Sequence, residues 1–486
     1  MSRTSALSYD LAVIGGGSAG IVGAKTAASL GARVVLIERE RTGGDCLWTG
    51  CVPSKTLIAS AHSAAVAHAA SRYGIDVGPI AVDFTEIMRR VQRAIEDIEP
   101  LDSPAALEQA GVNVLAGHAR FTGKGRLEVD GVVVPYRRAL LATGARPAVP
   151  EIPGLDSIPY LTSETLWDLQ HLPGRLVVLG AGSIGCELGQ AFARLGSEVT
   201  IVEGLERILH REDSDASEAV LRSIQADGVS VRTGHRAVSV TATGDDSGTL
   251  MITDGETTTH IAFDQLLVAV GRTPNTGDAG LDAAGVVLDD RGFVVVDPML
   301  RTTNKRIWAA GDLTGHPQFT HAAGVHGSLA ASNAVLGLRR RVDLRAMPRV
   351  TFTDPEVAAV GATTEADDLP DGLRQITRDH RDVDRAVTDG LINGFSRLAV
   401  DARGRIAGAT VVGPRAGETL AELTLAVRKR LRSRDLAATI HPYPTYADGP
   451  WKVTIDDMQA RLSSPSTRRA TRLLGALARL RARVTT

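Results

Sequence analysis

The chain has 486 residues, of which 43% are apolar and 23% charged, and its formal net charge is −2. This length exceeds one ordinary hydrophobic core and predicts about three domains. The small net charge and an aromatic content of 4% argue against nucleic acid as a partner. With three cysteines and no secretory or membrane-spanning apolar run, the chain is expected to be cytoplasmic rather than a disulfide-rich secreted protein.

The first predicted element is a strand–loop–helix unit typical of dinucleotide-binding proteins. A short apolar strand leads into the loop GGGSAG, in which Gly15, Gly17 and Gly20 fit the G-x-G-x-x-G pattern. The three glycines allow a tight turn, the approach of a pyrophosphate and close helix–strand packing. The next strand ends at Glu38, an acid placed to bind a ribose hydroxyl.

Two cysteines follow in the stretch GGDCLWTGCVPSK, where Lys55 lies one helical turn after Cys51. The start of a helix and a nearby lysine both favour the thiolate, which is the attacking form of cysteine. Cys46 and Cys51 are therefore predicted to be a redox pair, with a structural disulfide as the alternative. Trp48, between them, either packs in the protein or offers a flat wall to a planar acceptor such as a quinone.

The glycine pattern recurs at Gly180, Gly182 and Gly185, again after an apolar strand, and Glu203 directly follows the next predicted strand, 198–202. In both units the acid follows the first glycine by 23 positions. Two copies at one spacing predict two dinucleotides. FAD is assigned to the first unit, because a redox disulfide must touch the flavin, and NADH or NADPH to the second. Glu203 favours NADH, whereas Arg207 close behind it would soften that preference.

These motifs resemble the flavoprotein pyridine nucleotide–disulfide oxidoreductases, such as dihydrolipoyl dehydrogenase, glutathione reductase and mercuric reductase. The resemblance covers nearly the whole chain and implies an α/β fold with two Rossmann-like dinucleotide-binding domains, for FAD and NAD(P), and a C-terminal α+β dimerisation domain. Further matching segments are ATG at 142–144, VGRTPN at 270–275, AGD at 310–312 and TFTDPEV at 351–357.

The resemblance also implies the domain boundaries. The FAD domain would comprise residues 1–150 and 277–345, and the nicotinamide domain 151–276 would be inserted between these two parts. A dimerisation domain would follow at 346–465, and residues 466–486 form a tail outside the family pattern.

The same resemblance assigns roles to individual residues. Cys51 would lie next to the flavin and Cys46 would attack the acceptor, while Lys55 would lie near the flavin ring and pair with Glu187. No resident metal site is predicted. The residues predicted to bind the cofactors are Gly15, Gly17, Gly20, Glu38, Gly44, Lys55, Thr143, Gly144, Gly180, Gly182, Gly185, Glu203, Gly271 and Asp312, the last on the ribityl chain.

The segment HPYPTYAD near the C-terminus departs from the dithiol-handling members, in which a histidine oriented by a glutamate moves protons to the departing thiol. Tyr443 and Asp448 occupy these two places, and His441 matches an earlier histidine that is not the base. In the implied homodimer, Tyr443 and Asp448 would reach toward Cys46 of the partner subunit. A tyrosine, with a pKa of about 10, is a poor proton shuttle at neutral pH, so reduction of glutathione disulfide or lipoamide is expected to be slow.

Tyrosine at this place resembles mercuric reductase-like proteins, whose acceptor is a thiophilic metal ion. No N-terminal C-x-x-C domain and no C-terminal cysteine pair accompany it, so efficient Hg(II) reduction is not expected. We predict an FAD-dependent NAD(P)H oxidoreductase that passes electrons through Cys46 and Cys51 to a metal ion or other non-glutathione small molecule. The alternatives are an NAD(P)H:quinone reductase with dispensable cysteines, a dihydrolipoyl dehydrogenase-type disulfide reductase, and a flavin-loaded sensor or adaptor.

The tail is predicted to be a basic amphipathic helix. Leu473, Leu477, Leu480 and Val484 fall on one helical face, arginines occupy much of the remainder, and no acid occurs among them. Such a helix can lie on an anionic membrane or dock on a partner, and the alternative is packing on its own dimer.

Overall fold

The computed structural model of the chain describes residues 8–463 and 465–484. The first seven residues, Ser464 and the last two residues of the predicted tail lie outside the described residues. The chain divides into two compact units, the first formed by 1–208 and 227–342 and the second by 209–226 and 343–486.

Within the described residues there are 14 α-helices and 22 strands, numbered in chain order, besides five short 3-10 helices. The helices are α1 (Ser18–Ser29), α2 (Gly44–Trp48), α3 (Cys51–His68), α4 (Phe84–Asp102), α5 (Pro104–Gln109), α6 (Ser183–Leu195), α7 (Ser214–Ala226), α8 (Leu281–Ala284), α9 (Thr320–Leu336), α10 (Asp384–Asp389), α11 (Ala416–Lys429), α12 (Ser433–Ala437), α13 (Asp448–Leu462) and α14 (Pro465–Val484). The strands are β1 (Tyr9–Ile14), β2 (Val34–Glu38), β3 (Val112–Ala116), β4 (Ala119–Gly123), β5 (Arg126–Val129), β6 (Val132–Val134), β7 (Tyr136–Leu141), β8 (Ala145–Pro147), β9 (Arg175–Leu179), β10 (Glu198–Val202), β11 (Ser230–Arg232), β12 (Arg236–Ala242), β13 (Gly248–Thr253), β14 (Thr258–Phe263), β15 (Gln265–Val268), β16 (Arg272–Pro274), β17 (Ile307–Ala309), β18 (Pro348–Thr351), β19 (Glu356–Gly361), β20 (Leu373–Asp379), β21 (Phe395–Asp401) and β22 (Ile406–Gly413).

The first unit contains two parallel sheets, one behind each glycine loop. Their strand orders are β17-β7-β1-β2-β3 and β11-β10-β9-β15, and every pairing within them is parallel. The side chains of β1 alternate between two buried clusters: Leu11 and Val13 pack in one, Ala12 and Ile14 in the other. A strand buried on both faces has to be apolar throughout, which is why β1 reads as a continuous apolar run.

In each sheet, the strand before the glycine motif leads into a helix that begins within that motif: β1 leads into α1, and β9 leads into α6. An ideal Cβ built on Gly20 would lie 1.9 Å from the carbonyl oxygen of Gly15, and one on Gly185 would lie 1.9 Å from that of Gly180. A side chain cannot fit at either position, so the last glycine of each motif is required for helix and loop to meet. The two strand–loop–helix units therefore have the same local construction.

The second unit is built around an antiparallel sheet with the order β18-β19-β22-β21-β20. Leu420 and Leu423 of α11 and Val453 of α13 pack against Ala358 of β19 and Leu398 of β21 in one buried cluster. Its α+β architecture, together with the two Rossmann-like sheets, confirms the predicted fold class, whereas the predicted boundaries between the domains stay a prediction. Among the described residues, no helix combines the length and the apolar character needed to cross a bilayer.

Candidate active site

The acid at the end of β2 binds the first glycine loop. Glu38 Oε2 accepts a hydrogen bond of 2.6 Å from the backbone N–H of Gly16, and its Oε1 accepts one of 2.8 Å from that of Glu40. These bonds fix the carboxylate beside the start of α1, where the ribose of a dinucleotide lies in a Rossmann-like unit.

The second unit repeats this arrangement around Glu203. Its Oε2 accepts a hydrogen bond of 2.7 Å from the N–H of Ala181, and its Oε1 accepts one of 2.9 Å from that of Leu205. Ala181 and Gly16 are both the second residue of their motifs, so the two carboxylates bind equivalent backbone groups. The 23-residue spacing seen in the sequence thus corresponds to a shared geometry.

The glycine loops leave room for the groups that they are predicted to bind. Gly17 and Gly182 are the N-caps of α1 and α6, where the first backbone N–H groups of a helix have no partner within it. An ideal Cβ on Gly182, Gly144 or Gly271 would meet no atom within 4 Å, so these residues border open space. Helix N-termini attract anions, and the loops therefore fit the pyrophosphates of two dinucleotides.

The two cysteines lie in consecutive helices: Cys46 in α2, and Cys51 as the first residue of α3. Both are free thiols, Cys46 half-buried and Cys51 exposed. The Cys51 sulfur lies 3.3 Å from the hydroxyl of Thr320, the first residue of α9. Hydrogen bonds from Cys46 and Thr320 and the charge of Lys55 lower the pKa of Cys51 to about 6. The bond to Cys51 and burial raise the pKa of Cys46, so Cys51 is the thiolate at neutral pH.

Lys55 joins the cysteine helix to the second glycine unit. Its Nζ donates a hydrogen bond of 2.7 Å to Oε2 of Glu187 in α6. The Glu187 side chain is only 6% exposed, whereas that of Lys55 is 37% exposed. An ammonium group at this distance compensates the nearly buried carboxylate. The structure therefore contains the ion pair that the family resemblance implies, and it lies one helical turn from Cys51.

Arg272 connects the cysteine segment to the AGD segment, a link that sequence reasoning missed. Its guanidinium forms an ion pair with Asp45, donates a hydrogen bond of 2.7 Å to the carbonyl of Ala145, and places Nε 3.4 Å from Oδ2 of Asp312. Burial raises the pKa of Asp312, and Arg272 opposes that rise. Two charged residues in the sequence could have indicated this link: Asp45, directly before Cys46, and Arg272, in the VGRTPN segment.

Thr143 and Gly144, in the ATG segment, form hydrogen bonds with Asn275, in the VGRTPN segment. The Thr143 hydroxyl donates a hydrogen bond of 2.7 Å to the carbonyl of Asn275, and the Asn275 side-chain amide donates one of 3.0 Å to the carbonyl of Thr143. The backbone N–H of Asn275 binds the Gly144 carbonyl at 3.0 Å. Three hydrogen bonds thus join the VGRTPN segment to the ATG segment.

Trp48 is held by its own segment. Its indole N–H donates a hydrogen bond of 2.8 Å to the carbonyl of Thr42, and the guanidinium of Arg41 lies 3.9 Å from the ring centroid. One face of the ring is therefore occupied by a cation–π contact. This geometry favours the packing role over a flat wall for a planar acceptor.

The C-terminal segment pairs Tyr443 with an acid that the sequence did not single out. The Tyr443 hydroxyl donates a hydrogen bond of 2.7 Å to Asp384, whose other oxygen lies 3.0 Å from Nζ of Lys452. Asp448, predicted to orient Tyr443, is buried at the start of α13, and its Oδ2 has no hydrogen-bond partner among the described residues. Among the described residues, the hydroxyl of Tyr443 therefore binds Asp384 rather than Asp448. The bond to Asp384 raises the pKa of Tyr443.

His441 is engaged by other residues of the second unit. Its Nε2 lies 2.9 Å from Oε2 of Glu422, and its Nδ1 lies 3.0 Å from the carbonyl of Thr439. Both ring nitrogens therefore face acceptor oxygens, which fits a residue that anchors the segment to α11. Within the described residues, no group of three or more histidine, cysteine or acidic side chains could hold a metal ion.

Comparison with known proteins agrees with this geometry. Residues 9–327 match the family described as "Pyridine nucleotide-disulphide oxidoreductase", and residues 347–453 match its dimerisation domain. A mercuric reductase from Shigella flexneri is 40% identical over 459 residues, which cover 90% of this chain and 79% of that protein.

Two solved structures extend the likeness to the fold. LpdA from Mycobacterium tuberculosis has a TM-score of 0.84 at 30% identity, covering 94% of this chain and 100% of that one. The Cu(II) complex of the HOCl-induced flavoprotein disulfide reductase RclA from Escherichia coli has a TM-score of 0.82 at 27% identity, covering 92% of this chain and 99% of that one. The chain belongs to the pyridine nucleotide-disulphide oxidoreductases, and it is an FAD-dependent enzyme that uses NAD(P)H.

Proposed function

We propose that this enzyme passes electrons from NAD(P)H through Cys46 and Cys51 to a soft metal ion. Cu(II) is the first candidate, and Hg(II) is the second, with inefficient turnover expected because no cysteine follows Cys186. The observation that carries the proposal is the hydrogen bond from Tyr443 to Asp384, at the place where disulfide-reducing relatives have a proton-shuttling histidine. Because this bond raises the pKa of Tyr443, the hydroxyl is an even weaker acid than an ordinary tyrosine.

The chemistry of the acceptor decides between a metal and a disulfide. Reducing a disulfide breaks the S–S bond and releases a thiolate, which needs a proton to leave efficiently. A metal ion takes electrons without releasing a thiol, and thiolates bind soft metals well. Oxidation of NAD(P)H sends two electrons to the acceptor and releases one proton to the medium. One Hg(II) takes both electrons, whereas two Cu(II) take one each.

The names of the relatives support a metal acceptor. The chain is similar to a mercuric reductase and to a flavoprotein solved with Cu(II). Such ions select soft thiolates, and Cys46, the cysteine predicted to meet the acceptor, supplies one when it releases its proton to the medium. The matched dimerisation domain supports a homodimer as the active form.

The residues around the thiols have separate tasks in this proposal. FAD, when bound, supplies the two-electron exchange between NAD(P)H and the cysteine pair. The hydrogen bonds with Cys46 and Thr320 and the charge of Lys55 lower the pKa of Cys51 and favour its thiolate. Cys46, whose pKa is raised, keeps its proton until it meets the acceptor. Arg272 keeps the Cys46 helix attached to the AGD segment.

The second dinucleotide is proposed to be NADH. The adenosine ribose of FAD carries a free 2′-hydroxyl, and Glu38 is the acid predicted to bind it. Glu203 binds equivalent backbone groups at nearly the same distances, so the second site reproduces a geometry suited to a free ribose. A carboxylate there would repel the 2′-phosphate of NADPH.

The test is steady-state oxidation of NADH and NADPH by the purified holoenzyme with Hg(II), Cu(II), a quinone, lipoamide, glutathione disulfide or oxygen as the acceptor. Metal-dependent turnover is expected in the wild type and should be lost in Cys46→Ser and Cys51→Ser. Tyr443→His should raise turnover with the disulfides, and Tyr443→Phe serves as the control that lacks an ionisable group.

Three outcomes would contradict the proposal. The first is faster turnover of lipoamide or glutathione disulfide than of either metal by the wild type. The second is metal turnover that survives Cys46→Ser. The third is quinone turnover that exceeds metal turnover and is unchanged in both cysteine variants, which would identify a quinone reductase in which the cysteines are dispensable.

A further inference from the structure

The last helix lies beyond the residues that match the family. The matched dimerisation domain ends at residue 453, and α14 covers Pro465–Val484. Six arginines occur between residues 468 and 483, and no aspartate or glutamate occurs after Asp457. The helix is therefore strongly basic in a chain whose formal net charge is −2.

The leucines of α14 form an exposed apolar stripe. Leu473, Leu477 and Leu480 are 68%, 49% and 59% exposed, and their spacing of four and three residues puts them on one face. Leu474 borders this stripe and is 65% exposed. The side chain of Val484, predicted to extend the stripe, lies outside the described residues.

We propose that α14 lies in the surface of a membrane that contains anionic phospholipid. The leucine stripe would enter the boundary between head groups and acyl chains, and the arginines would meet lipid phosphates. A helix of 20 residues spans about 30 Å, close to the thickness of the hydrocarbon core. A spanning orientation would bury the arginines in hydrocarbon, so the helix lies in the plane of the surface.

The charge pattern favours lipid over a second copy of α14 and over a polynucleotide. A second copy of α14 would cover the leucines, but it would bring two sets of arginines together without a carboxylate on either helix to pair with them. A polynucleotide would pair with the arginines but leave the leucines in water. An anionic bilayer satisfies both halves of the helix, because it offers phosphates at the surface and acyl chains beneath them.

The experiment is flotation of the full-length holoenzyme with vesicles of phosphatidylcholine alone or mixed with phosphatidylglycerol. We expect binding to the mixed vesicles only, weakened by added salt and lost when the chain ends at Leu462. Arg468→Gln and Arg469→Gln should each weaken binding about fivefold, since one arginine near an anionic surface contributes about 1 kcal/mol. Arg403→Gln, at an exposed arginine elsewhere in the second unit, is the matched charge control and should bind as the wild type does.

The double variant Leu473→Ser, Leu477→Ser tests the leucine stripe of α14. It should weaken binding to the mixed vesicles without changing the rate of NADH oxidation. The proposal is overturned if the truncated chain still floats or if phosphatidylcholine alone binds the full chain equally well. It is also overturned if the tail variants bind vesicles normally but lose affinity for a polynucleotide, or if truncation changes only the oligomeric state.

Discussion

Lys55 and Glu187 should move the pKa of the Cys51 thiol in opposite directions. Lys55 lowers that pKa and Glu187 raises it through their charges, with the lysine having the larger effect. Replacing Lys55 by methionine removes a positive charge one helical turn from the sulfur, and side chains four residues apart on a helix lie about 6 Å from each other. Replacing Glu187 by glutamine keeps the shape of the side chain and removes the negative charge.

The magnitude follows from Coulomb's law. Because Lys55 is 37% exposed, the effective dielectric constant lies between protein-surface and bulk-water values, at about 40. Two charges about 6 Å apart then interact by about 1.4 kcal/mol, which corresponds to about one pKa unit. In Lys55→Met, the pKa of Cys51 should rise from about 6 toward neutrality. The thiolate fraction at pH 7 then falls from about nine-tenths to about one half.

The assay is a pH titration of the two-electron-reduced holoenzyme, followed by the long-wavelength absorbance that a thiolate gives against oxidised flavin. We expect the midpoint to rise in Lys55→Met, to fall in Glu187→Gln and to lie between these in the double variant. Lys124→Met, at an exposed lysine of the same unit, is the matched control and should leave the midpoint unchanged. The rate of alkylation by iodoacetamide gives an independent readout of the thiolate.

The lowered pKa of Cys51 also makes the stability of the folded protein depend on pH. The pKa of Cys51 lies below its ordinary value of 9.0, so the thiolate stabilises the folded protein fully above about pH 9. This contribution is lost as the pH falls through about 6.

Two results of the thiolate titration would contradict these expectations. An unchanged titration midpoint in Lys55→Met, or a raised midpoint in Glu187→Gln, would show that these charges do not act on the Cys51 thiol.

Three other substitutions test separate parts of the structure. Glu203→Ala should reduce the preference of kcat/KM for NADH over NADPH by about tenfold, and a wild type that prefers NADPH would contradict this. Arg272→Met leaves Asp312 without its guanidinium and should weaken FAD retention about tenfold in equilibrium dialysis; unchanged retention would remove Arg272 from the site. Asp457→Asn removes the charge of a fully buried carboxylate that lies 3.0 Å from Arg461. In denaturant titration, this change should lower the free energy of unfolding of the second unit by about 2 kcal/mol. An unchanged free energy of unfolding would contradict this expectation.

The parts of the site that depend on backbone geometry could be predicted from the sequence. A glycine that leaves no room for a Cβ, such as Gly20 or Gly185, restricts the local structure so strongly that the motif and its strand and helix appear together. The acids Glu38 and Glu203 occur at the same spacing because Glu38 is the last residue of β2 and Glu203 directly follows β10. Short-range constraints of this kind are visible in one sequence.

Contacts between side chains distant in sequence could not be predicted in the same way. Arg272 meets Asp45 across 227 positions, and Tyr443 meets Asp384 across 59. Such partners are chosen by the packing of whole elements and by side-chain length, and no local pattern encodes either. The family pattern pointed instead to Asp448, which is buried at the start of α13 without reaching the tyrosine.

The nucleotide loop and the cysteine loop are in direct backbone contact. The N–H of Gly43 donates a hydrogen bond of 2.9 Å to the carbonyl of Gly16, and an ideal Cβ on Gly44 would lie 2.6 Å from the Cα of Gly17. A mutation that adds a side chain at Gly44 therefore disturbs both loops at once. A cysteine segment transplanted between relatives therefore keeps this contact only where the receiving nucleotide loop follows the same backbone path and the position of Gly44 stays a glycine.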